Sequence, residues 1–135
     1  MKGFNIGDTA SCTRTFTDLD KQLYLQISGE EEGFRADGFT PLPEPLIGGL
    51  FSFLLGTKLP GFGTNYLKQK MQFTGQAYYG EPLTATVKIT RLRPDKELVN
   101  LETKCINSGG KQICIGEALV LAKNVEPPIR GNNNR

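Results

Sequence analysis

The 135-residue chain contains no histidine, so proton transfer near neutral pH falls to carboxylates or to other groups with displaced pKa values. Carboxylates bunch at Glu30, Glu31 and Glu32, with Arg35 and Asp37 just beyond. A partly desolvated carboxylate can act as a general base, whereas three adjacent glutamates are also what a solvated surface carries. Arg35 suits a phosphate or carboxylate ligand, or a neighbouring glutamate. The three cysteines, Cys12, Cys105 and Cys114, have no metal-ligand spacing, and their odd number argues against a simple disulfide framework. The expectation is a reducing compartment, no structural zinc and no cofactor. A Cys–His nucleophilic pair is excluded outright.

These groups need a scaffold. The segment Thr9 to Phe16 alternates loosely and predicts a first strand. Thr17 and Asp20 then have the spacing of a capping box, opening a short helix that carries Leu23, Leu25 and Ile27 and ends at Ser28-Gly29. Glu30 to Pro45, with three prolines and two glycines, predicts an irregular loop of roughly fifteen residues, a length that is often functional and is equally that of a surface flap. Leu46 to Leu55 is apolar on nearly every side and predicts a buried helix, with Pro45 in its first turn. Gly48 and Gly49 each cost such a helix roughly 1 kcal/mol, which points to a close approach by a sheet or a ligand. Leu59 to Thr64 is a turn-rich connection.

Strands follow at Asn65 to Thr74, Leu83 to Leu92, Leu98 to Asn107 and Gln112 to Ala122, each marked by alternation and bounded by turns. A change of phase near Gly116 predicts a bulge there. Residues 126–135, with two prolines and three consecutive asparagines, predict a disordered tail, leaving a single domain over 1–125. The fold class is α+β, an antiparallel sheet wrapped around one central apolar helix, the hotdog arrangement. The last strands should end at a sheet edge, and pairing of two copies would hide it, so a homodimer is expected. The formal net charge of +2, with interspersed basic residues, speaks against nucleic acid. The N-terminus has no signal-peptide h-region, and the apolar stretch from Leu46 to Leu59 is too short to span a bilayer. A cytoplasmic protein without a membrane partner is expected.

The run from Leu54 to Gln69, which reads Leu-Leu-Gly, then Leu-Pro-Gly-Phe-Gly, then Tyr-Leu-Lys-Gln, resembles the central stretch of the MaoC-like (R)-specific enoyl-CoA hydratases. Ile6-Gly7-Asp8, Ser28-Gly29, Phe73, Gly80-Glu81-Pro82-Leu83-Thr84 and Gly116-Glu117-Ala118 continue the likeness, which spans about residues 5 to 122. The resemblance implies a hotdog fold and a substrate that is an acyl-CoA or acyl-carrier thioester. It implies an aspartate–histidine pair that handles the attacking water, and a backbone N–H near the start of the central helix that supports the thioester oxygen. Glu30 falls at the aspartate position, nothing replaces the histidine, and Gly49 is the expected N–H donor. The second histidine of the family appears as Gly48, and the stretch between Glu30 and Gly56 is several residues shorter than the family's.

The resemblance also places Phe51, Thr57, Phe62, Gly63, Asn65 and Tyr66 along the acyl-pantetheine path. Phe51 and Phe53 are equally compatible with plain core. Lys58, Lys68 and Lys70 are lysines that could meet nucleotide phosphates or simply face solvent. Three functions remain open on these residues: a hydratase or dehydratase with an altered acid–base group, a hotdog thioesterase with a carboxylate base, and a non-catalytic binding or structural protein.

Overall fold

The computed structural model describes residues 3–28, 40–123 and 125. The element order is β1 (Thr9–Thr15), α1 (Asp18–Ser28), α2 (Glu44–Thr57), β2 (Asn65–Phe73), β3 (Pro82–Arg93), β4 (Leu98–Asn107) and β5 (Gln112–Leu121). The strands form one antiparallel sheet in the order β1-β3-β4-β5-β2. Its inner face is a row of alternating apolar side chains. Leu83, Ala85, Val87 and Ile89 of β3 are fully buried, as are Val99, Leu101 and Cys105 of β4. Helix α2 lies across this face over β3 and β1 and buries Ile47, Leu50, Phe51, Leu54 and Leu55. The sheet and its one covering helix make the predicted hotdog.

Local chemistry explains the element ends. The capping box forms: the Thr17 N–H donates to Asp20 Oδ2 at 2.7 Å, and the Asp20 N–H donates to Thr17 Oγ1 at 3.4 Å. Pro43 is the N-cap of α2 and Pro45 lies in its first turn, so the helix starts slightly earlier than its apolar run. After α2 the chain turns through Gly61 and Gly63, both with positive φ, and the Leu59–Pro60 peptide is cis.

Two expectations are corrected. The edges of the sheet are β1 and β2, and β5 is interior, between β4 and β2. The bulge is not at Gly116, which is paired with Thr103 on one side and Met71 on the other. The slip lies where Cys105 pairs with Cys114 while Ile106 pairs with Gln112, leaving Ile113 as the extra residue. Gly116 answers a different need. A Cβ there would collide with the Lys70 carbonyl oxygen, so the close passage of β2 over β5 requires glycine. The expected tail at 126–135 lies outside the described residues.

Candidate functional site

Among the described residues, two concave spaces flank α2. The first lies between the helix and edge strand β1, with a volume of about 460 Å³. Cys12 and Arg14 of β1 face into it, with Phe16 just beyond the strand, because residues two apart on a strand share a face. Leu46, Gly49, Leu50 and Phe53 line the other side, at the i, i+3, i+4, i+7 spacing of a single helical stripe. The second is an open groove of about 480 Å³ between α2 and β2, where Gly48, Gly49 and Ser52 face Tyr66, Gln69 and Met71. Pro45 and Gly49 border both spaces.

Arg14 is fixed at the first cavity. Its guanidinium donates to Asp20 Oδ1 at 2.7 Å and sits 4.7 Å from the Phe16 ring centroid. Burial pushes the Cys12 thiol above its ordinary range, and the charges of Lys58 and Arg14 offset part of that rise. Cys105 and Cys114 are fully buried. Burial pushes their thiols up to about 12 and about 11, so neither is a nucleophile in the folded chain. In the groove, burial raises the Tyr66 hydroxyl, while a hydrogen bond with Ser52 opposes the rise. Gln69 donates from Nε2 to the buried Thr103 hydroxyl at 3.2 Å, and its Oε1 has no partner among the described residues.

The sequence-derived residues separate. Glu30 lies outside the described residues, as do Glu31, Glu32, Arg35 and Asp37. Gly49 borders both spaces, yet it is the sixth residue of α2. Its N–H therefore falls inside the i→i−4 ladder, facing the Pro45 carbonyl, and open amides occur only in the first turn. In that first turn Pro45 has no N–H and the Leu46 N–H donates to the Pro43 carbonyl at 3.1 Å, which leaves Glu44 as the first-turn donor. Gly49 is exposed, and a Cβ added there meets nothing within 4 Å among the described residues. A Cβ added at Gly48, by contrast, would lie 3.4 Å from the end of the Met71 side chain of β2, an ordinary van der Waals contact.

Phe51 is wholly buried in the core and lines neither space. Phe53, which the sequence left open between pocket and core, is half-exposed and lines the first cavity. Tyr66 faces the groove. Thr57, Phe62, Gly63 and Asn65 cluster at the other end of α2 and just beyond it, and border neither space. Phe62 is exposed there. The sequence reading missed Cys12, Arg14, Phe16, Leu46 and Leu50 as cavity walls, and Ser52 as the partner of Tyr66. The alternation of β1 and the helical stripe were the available signals. Among the described residues, no cluster of metal-ligating side chains occurs and no helix is long and apolar enough to cross a membrane.

An antiparallel sheet wrapped on one apolar helix, with concave spaces flanking that helix, defines a hotdog-fold protein with room for a ligand. No protein-family model matches the chain. Individual proteins do. An (R)-specific enoyl-CoA hydratase of Aeromonas caviae is 43% identical over 128 residues, covering 88% of this chain and 96% of that protein. An (R)-specific enoyl-CoA hydratase of Rhodospirillum rubrum is 32% identical over 134 residues, covering 93% and 89%. The solved structure of an (R)-hydratase from A. caviae involved in PHA biosynthesis superposes with a TM-score of 0.81 and 28% identity, covering 95% of this chain and 100% of that one. The chain belongs to the MaoC-like (R)-specific enoyl-CoA hydratase family.

Proposed function

We propose that the protein hydrates enoyl thioesters, carried on coenzyme A or on an acyl carrier, and catalyses the reverse dehydration, with a carboxylate replacing the usual acid–base pair. The supporting observation is the 43% identity to an enoyl-CoA hydratase across nearly the full length of both chains, in a sequence with no histidine. Glu30 is the proposed base. Its carboxylate takes a proton from water as the oxygen adds to the β-carbon, and the same proton is delivered to the α-carbon. The positive end of the α2 dipole, with the Glu44 N–H as the first-turn donor, supports the charge that develops on the thioester oxygen.

We further propose that two copies pair through the edge strand β2. The support is the apolar surface that β2 exposes: Tyr66 is 40%, Leu67 53% and Met71 39% exposed, and pairing would cover both this surface and the unpaired strand edge.

The test is incubation with crotonyl-CoA, following loss of the conjugated double bond and release of free thiol together. Stereospecific hydration abolished by Glu30→Gln supports the proposal. Thiol release without hydration moves the assignment to a thioesterase. Neither signal from the folded protein favours a second reading, binding without turnover, which the missing histidine also supports.

A further inference from the structure

Glu44, Gly48 and Ser52 follow one another at single-turn spacing and share a face of α2. That face looks at β2, because a Cβ built on Gly48 points at the Met71 side chain, and Gly48, Ser52, Tyr66 and Met71 line one groove. Glu44 heads the face, next to Pro45, which also borders the groove. The Cys114 thiol of β5 reports the same side: after burial, the Glu44 carboxylate is the next cause of its upward push, and Cys114 pairs with Phe73 of β2. The neighbouring polar groups are engaged or out of reach. Ser52 and Tyr66 hydrogen-bond each other. Gln69 donates to the Lys70 carbonyl and to Thr103, and its Oε1 is buried. Glu44 is exposed, and among the described residues no ion pair holds it. Its carboxylate is an open acceptor at the end of the groove.

An open acceptor on the residue that also supplies the first-turn N–H suits one unit of the substrate. The Glu44 N–H and carboxylate are about five bonds apart, and the thioester oxygen and β-oxygen of a 3-hydroxyacyl thioester about four. Building on the hydration reading above, we infer that the Glu44 carboxylate binds the β-hydroxyl of the 3-hydroxyacyl thioester while its own N–H donates to the thioester oxygen. In the hydration direction the carboxylate accepts the hydrogen that the attacking water keeps. The water oxygen bonds to the β-carbon as the C=C π bond is consumed, and its other hydrogen passes through the base to the α-carbon. Glu44 neither gains nor loses a proton. It orients the water, and in dehydration it recognises the hydroxyl that leaves.

The experiment measures equilibrium binding of (R)-3-hydroxybutanoyl-CoA and of butanoyl-CoA, which differ by the hydroxyl alone. The hydroxy compound is expected to bind the parent at least about ten-fold tighter, the scale of a hydrogen bond to a charged group. Glu44→Ala should abolish that preference and leave the affinity for butanoyl-CoA unchanged, since the backbone N–H remains. Glu44→Gln, whose amide keeps a neutral acceptor, should fall between, and it carries the test if the alanine variant does not fold. A purely structural role at the helix start would lower the melting temperature without moving the ratio. No preference in the parent, or a preference unchanged in both variants, overturns the assignment and leaves the thioester reading standing. Failure of both thioesters to bind the folded parent overturns both.

Discussion

The Arg14 guanidinium and the Asp20 carboxylate, 2.7 Å apart, tie the first turn of α1 to edge strand β1 beside the cavity. The same carboxylate accepts the Thr17 N–H, so one side chain both caps a helix and holds a cavity wall. The Thr17 N–H, the Thr17 hydroxyl and the Arg14 charge hold Asp20 below its ordinary value of 3.8, against a smaller upward push from burial. A depressed folded-state pKa means stability that is present above the unfolded value and lost as pH falls through the folded one. Asp20→Ala is expected to cost about 1 kcal/mol at pH 7, and the gap between variant and parent should close in strong acid. Urea midpoints at pH 7 and at successively lower pH down to about 1.5 check both parts.

Gly116 and Gly49 should respond in opposite directions to the same substitution. At Gly116 an added Cβ collides with the backbone oxygen of Lys70. No rotamer change relieves a backbone collision, so β2 or β5 must shift. Gly116→Ala is expected to lose at least about 2 kcal/mol. At Gly49 the space is open and alanine is the better helix former, so Gly49→Ala should gain about 0.5–1 kcal/mol. Thermal melts of the two variants beside the parent would read the contrast. Equal destabilisation of both would mean that α2 is packed more tightly at Gly49 than the cavity implies.

Thiol chemistry should be confined to one site. Cys105 and Cys114 are fully buried, with thiols pushed up to about 12 and about 11, while Cys12 is partly exposed. A disulfide-exchange reagent at pH 8 is expected to titrate one thiol per native chain, and three after denaturation. Because burial also raises Cys12, its rate should still be climbing with pH at that point. Loss of the fast phase in Cys12→Ser assigns it.

Most of the scaffold was legible because it is periodic. Strand β4 runs from Leu98 to Asn107, as its alternation predicts, and the Thr17–Asp20 spacing marked a real capping box. Strand order is another matter, since alternation says which face is buried but not which strand lies beside which. Chain order alone puts the last strands at an edge, whereas the pairing puts β5 between β4 and β2. The phase slip shows in the sequence as a change of alternation near Gly116. It belongs to Ile113, where Ile113 and Cys114 are both buried in succession, because a slip in one strand can be located only against its partner. The cavity was hidden for a comparable reason. Arg14 interrupts the apolar row Cys12, Arg14, Phe16, and only its pairing with Asp20 and its contact with Phe16 make a charged side chain suitable as a wall.

The pH dependence of turnover carries the most information about the chemistry. A chain with no histidine cannot draw an activity limb from an imidazole, whose ordinary pKa lies near 6.5. If Glu30 is the base, hydration must fall as pH drops through the pKa of that one carboxylate, since the protonated acid cannot accept a proton from water. Above that point the rate should hold level across neutral pH. Glu30→Gln should remove the acidic limb together with at least about 99% of the rate, the scale of general-base contributions. Glu30→Asp should retain a limb with a reduced plateau, because the group survives but sits a methylene short. Measuring kcat/KM for crotonyl-CoA from pH 4 to 9 in the parent and both variants makes the distinction. An acidic limb that survives Glu30→Gln would place the base on another carboxylate.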